Sequence, residues 1–294
     1  SSEAVRAAWA RVDAATQRAL ELDPDDPLLW WDLASHCSAS AQVCDPDEAL
    51  ERVRALAPSN AAVWVMPTAP AGEARPAGHA PVASADQRLE RMAAASRYDT
   101  FLGERVRAYY AALEAVPMPA ALRTERLGIG PAPTAVQARG VLALGMAMAD
   151  VMRESSGLME LCGAHVLARA GEPRRQRCRA ALDRVLEKAD TLMAYSLAHR
   201  LRLALEDDPA RRSALERARD AVEWRSAAAN ALFDPETQDG RAAMDEYLAL
   251  LLAPGATELG VMRDLLGSRG IGLEPPPDWK SPRSIDPRGP STAG

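Results

Sequence analysis

The residues best equipped for chemistry are four cysteines, and they fall into two local pairs, Cys37 with Cys44 and Cys162 with Cys178. An even count in local pairs predicts two disulfides and therefore an oxidising compartment, periplasmic or extracellular, because cytosolic thiols are kept reduced. Cys37 falls near the end of one expected helix and Cys44 just before the next, so a bridge there would close a short loop. Cys162 and Cys178 flank the break at Gly171-Glu172-Pro173 and could staple a second bend. The competing reading is four reduced, buried thiols in a cytosolic protein. Cys162, His165 and Cys178 carry atoms able to hold a metal, but a structural zinc site wants four ligands and His199 is distant in sequence. The sequence calls for no metal and no cofactor.

Other candidate chemistry is weaker. Gly128-Ile129-Gly130 and Gly267-Ser268-Arg269-Gly270-Ile271-Gly272 are fragments of a phosphate-loop pattern, yet neither follows a strand, and the glycines are better read as helix caps and turns. His36, His79, His165 and His199 lack the spacing of helix-borne zinc ligands, and no Gly-x-Ser-x-Gly elbow accompanies them. The acidic groups Glu206-Asp207-Asp208 and Asp234 to Glu236 stand at expected helix ends, where carboxylates cap amides. Arg174, Arg175, Arg177 and Arg179 form a basic run that reads as a solvated helix face. No catalytic residue emerges.

The elements that must position these residues are helical. Of 294 residues 48% are hydrophobic and only 4% aromatic, with Ala, Leu and Arg supplying the bulk, a composition that favours helix. A net charge of -6 leaves no basic footprint for nucleic acid. The most apolar stretch, Val141 to Met152, is interrupted by Gly145 and Asp150 and reads as a buried helix, not a transmembrane segment. The chain opens Ser1-Ser2-Glu3 without an initiator Met, as expected of a processed form.

Near the start, Asp23-Pro24, Asp26 and Trp30 recur as Ala57-Pro58, Asn60 and Trp64, each 34 residues on (24 to 58, 26 to 60, 30 to 64). Asp26-Pro27 and Asp45-Pro46 are helix-start signals, an N-cap followed by proline in the first turn. Apolar spacing predicts helices over 3–22, 27–39, 46–57 and 61–66. Further helices are expected from Ser84, over about 98–116, from Thr134 to about 154, and then over 173–188, 190–205, 209–232, 238–252 and 258–266.

With Trp30 and Trp64 at the aromatic position of a first helix, Leu33-Ala34 at its Leu-Gly pair and Pro24 and Pro58 closing the unit, residues 3–66 resemble tetratricopeptide repeats. Cys37, Pro46 and Pro67 depart from that pattern. The resemblance implies an α-solenoid of stacked antiparallel helical hairpins. Residues 1–271 are expected as one helical-repeat domain: repeat-like hairpins over 1–66, a Pro/Ala-rich loop over 67–83, and irregular further hairpins over 84–271. A Pro-rich tail over 272–294, disordered or laid extended on the surface, would follow. The resemblance further implies a non-enzymatic scaffold that binds a protein or peptide, with contacts on the face around Trp31, Asp32, Ser35 and His36. Trp30 takes the repeat's buried position, and Trp31, placed about 100° from it on the helix, either packs under the next hairpin or stands exposed as an anchor. The composition with paired cysteines looks like exported proteins of high-GC Gram-negative bacteria. The alternative is a small-molecule-binding protein or enzyme with a pocket around Gly145 to Met152 and Tyr195 to His199.

Overall fold

The structure is a computed structural model that describes residues 2–36, 45–66, 83–115, 117, 134–234 and 236–281. Among these residues the regular structure is all-α: α1 (Ser2–Leu22), α2 (Pro27–His36), α3 (Pro46–Leu56), α4 (Ala62–Val65), α5 (Ala85–Ala94), α6 (Leu102–Glu114), α7 (Ala135–Cys162), α8 (Ala164–Leu167), α9 (Glu172–Lys188), α10 (Leu192–Ala204), α11 (Pro209–Ala231), α12 (Gln238–Leu251) and α13 (Glu258–Ser268).

The helix starts follow from side-chain capping. Asp45 accepts from the amides of Asp47 and Glu48, and Asp208 from those of Ala210 and Arg211, each with a proline opening the helix. Ser84 and Gln87 form a reciprocal capping box, repeated by Thr134 and Gln137. Thr191, Thr237 and Thr257 cap α10, α12 and α13.

The chain divides into two compact units that interleave in sequence, one of Ser1–Glu104 with Ala147–Leu205, the other of Arg105–Met146 with Glu206–Gly294. In the first, helices pack in chain order, α1 on α2, α2 on α3, α3 on α4 and α4 on α5; α5 then packs on α9, and α9 on α10. Trp31, Val53, Leu89, Met92, Leu161 and Leu182 belong to one buried core. In the second unit α11 and α12 both pack on α13.

The repeat echo is legible in atoms. Four hydrogen bonds of the first turn recur in the second: Asp23 N to Ala19 O and Ala57 N to Val53 O, both 2.9 Å; Asp26 N to Asp23 O and Asn60 N to Ala57 O; Leu28 N to Asp26 Oδ1 and Ala62 N to Asn60 Oδ1; and the indole N–H of Trp30 to Pro24 O (2.7 Å) and of Trp64 to Pro58 O (3.1 Å). The indole bond closes the turn by pinning the aromatic ring to the proline carbonyl six residues back.

Three expectations are corrected or narrowed. A helix beginning near Tyr98 fails: α6 starts at Leu102, because the side chains of Asn60 and Asp190 capture the amides of Asp99 and Thr100, and Phe101 adopts a left-handed φ of 57°. Of the two expectations for the tail, disorder or an extended course over the surface, the described part takes the second. Residues 272–281 lie along α11, where the Trp224 indole donates to Gly272 O, Arg225 to Leu273 O, and Trp224 meets Trp279 edge to face at 6.0 Å. Residues 282–294 lie outside the described set. Finally, Ala135–Leu167 is long and apolar enough to cross a membrane by length and composition, with a window of mean hydropathy 1.3. Only 33% of that window is buried. Leu158, Leu161 and Cys162, toward the end of the stretch, lie in the first unit's core, whereas Val136, Met146 and Met152 are exposed, so the reading of a buried helix holds for only part of it.

Candidate functional site

Helices α1, α2 and α3 enclose an open groove of about 410 Å3. Each contributes residues at helical spacing: Gln17, Leu20 and Glu21 from α1, Trp30 and Leu33 from α2, and Asp45, Glu48 and Ala49 from the start of α3. Leu20, Leu33 and Ala49 form a small buried cluster that makes the floor, with Trp30 packed against it. The Trp30 ring cannot swing away cheaply, since its indole N–H is committed to Pro24 O. Asp45 is both wall and cap, so the backbone amides of Asp47 and Glu48 fix its carboxylate. Glu21 and Glu48 stand exposed at the rim.

Of the two adjacent tryptophans it is Trp31 that is buried completely, which leaves no exposed anchor at that position. Its ring meets Phe101 edge to face at 5.4 Å, because the segment before α6 folds over that side of α2. Trp31 is thus a core residue, and Trp30, expected in the core, is the half-buried one that faces the groove. Asp32 and Ser35 are half-buried on α2. The side chain of His36 lies outside the described residues, as do Cys37 and Cys44.

Beneath α2 lies a polar knot that sequence reasoning missed. Asn60 is fully buried; its Oδ1 accepts from Asp99 N at 2.9 Å and its Nδ2 donates to Asp99 O at 2.7 Å. Asp190 Oδ2 accepts from Thr100 N (2.6 Å) and from Thr100 Oγ1 (2.7 Å). Its Oδ1 is buried without a hydrogen-bond partner. Burial pushes the Asp190 carboxyl up to about 7 against the lowering pull of the two Thr100 bonds, and the charge of Asp99 adds to the rise. The repeat alignment was the available signal, since it put a polar cap at Asn60; nothing local marked Asp190.

Set against protein-family models, curated proteins and solved structures, the chain matches none.

Cys162 and Cys178 form a buried disulfide that ties the end of α7 to α9. Both sulfurs are spent in it, so the metal reading at Cys162, His165 and Cys178 loses its thiolates, and His165 is exposed. The basic run of α9 is not a solvated face. Arg174 and Arg177 pair with Asp86 and Arg177 also with Glu90, which ties α9 to α5, while Arg179 pairs with Glu172 within α9. The acidic ends behave as caps, with Asp208 on α11 and Asp234 Oδ1 accepting from Glu236 N. Around the alternative pocket, Tyr195 and His199 lie 5.8 Å apart on α10, and Met146 and Met152 are 45% and 61% exposed.

Proposed function

We propose that this chain is a tetratricopeptide-like, non-enzymatic scaffold of the periplasm or extracellular space that binds a protein or peptide partner. The duplicated turn carries the reading. Four hydrogen bonds recur at the tetratricopeptide period, including the indole-to-proline closure, and the helices around them pack in chain order, as stacked hairpins would. The groove of α1, α2 and α3 offers a recess between consecutive helices. The Cys162–Cys178 bridge fits an oxidising compartment.

Panning a random peptide display library on the native protein tests the reading. A family of related peptides should enrich, compete with one another for a single site, and lose affinity when Leu33→Glu puts a charge on the groove floor. Failure of any family to enrich, or enrichment indifferent to the groove, would contradict it.

A further inference from the structure

Building on that reading, we infer that the α1–α3 groove selects a cationic partner, a polypeptide segment that presents a Lys or Arg side chain beside an apolar one. Three carboxylates, Glu21, Asp45 and Glu48, line the groove, and among the described residues no cationic side chain does. They come from two helices and surround an apolar floor of Leu20, Leu33 and Ala49. An apolar side chain of the partner has a place on that floor, and the alkyl stem of Lys or Arg has one against the Trp30 ring. The charged head then reaches the rim, where Glu21 and Glu48 stand in water.

The arrangement disfavours the opposite occupant. An acidic segment would set its carboxylates against three negative charges, of which Asp45 is held in place by its capping bonds. The chain's net charge of -6 adds attraction for cations at long range, but a general attraction would not depend on which carboxylates are removed. The volume, about 410 Å3, lies toward the low end of ordinary ligand sites, about 300–1,000 Å3, and suits one or two side chains.

The test uses three labelled peptides, alternating Leu with Lys, Leu with Gln, or Leu with Glu, titrated by fluorescence anisotropy against the oxidised full chain. The Leu-Lys peptide should bind at least about tenfold more tightly than the Leu-Gln peptide, the Leu-Glu peptide more weakly still, and added salt should erode the difference. The double variant Glu21→Gln/Glu48→Gln should weaken Leu-Lys binding by about three- to tenfold, as expected for two exposed charges. The control pair Glu216→Gln/Asp245→Asn, two exposed carboxylates of the other unit, removes the same charge and should leave affinity unchanged. Equal binding of the three peptides, no binding by any, or equal weakening by the two variant pairs overturns the inference. Peptide panning decides the broader reading separately: an enriched, groove-directed family without basic residues would keep the scaffold and remove its cationic preference.

Discussion

Asp190 is the residue whose protonation the fold controls most directly. Its carboxyl titrates near 7 when folded, against 3.8 as the ordinary value, so the folded chain holds this proton more tightly than the unfolded one. Its stabilising effect is complete below about pH 4 and is lost as the pH rises toward 7, on the order of 4 kcal/mol in total, with no further change from this group above that. Urea midpoints measured against pH should therefore fall across this window. Asp190→Asn, which keeps an acceptor for Thr100 without the charge, should flatten that fall and leave the variant more stable than the parent above pH 7. Arg88 makes a second prediction. Its guanidinium is buried, donates to the carbonyls of Trp64, Val65 and Met66, and pairs with Glu160. It thereby satisfies the open C-terminal end of α4, and burial pulls its pKa down while Glu160 pulls it back up. Arg88→Met orphans these carbonyls and should cost at least about 3 kcal/mol in chemical denaturation. Arg88→Lys should recover only part of this, because an ammonium lacks the planar fork.

At the scale of elements, the helices were legible where capping chemistry is local. Asp45-Pro46, Ser84 with Gln87 and Thr134 with Gln137 start helices at the expected positions. What escaped was decided by long-range partners: the unwound stretch before α6 depends on Asp190, whose contact with Thr100 spans 90 residues of sequence. The tryptophan pair escaped for the same reason, since only Phe101 shows which of the two is covered. Trp31, Asp32 and Ser35, named from the repeat as the contact face of α2, do not line the groove; Trp30 and Leu33 do. Glycines of α7 divide in a way the sequence could not order. A Cβ at Gly157 would stand 1.8 Å from the Val65 carbonyl oxygen, whereas one at Gly145 meets nothing within 4 Å. Gly157→Ala should lower the thermal midpoint, forcing α7 away from the end of α4. Gly145→Ala should leave it unchanged or raise stability by up to about 1 kcal/mol through helix propensity.

For the molecule as a whole, the disulfide and the groove carry the account. The Cys162–Cys178 bridge closes a loop of 16 residues, so its loss through Cys162→Ser/Cys178→Ser should cost about 3 kcal/mol in the chain-entropy picture, read as a shift in the denaturation midpoint. A bridge of this kind fits an oxidising compartment but does not by itself select a partner. That the chain binds through its first three helices is tested most directly by hydrogen exchange on the oxidised protein, with and without a saturating peptide from the panning selection. Slowed exchange should concentrate around 17–21, 28–33 and 45–49, the segments that frame the groove. Protection confined to other helices, or no change at saturation, would contradict the account.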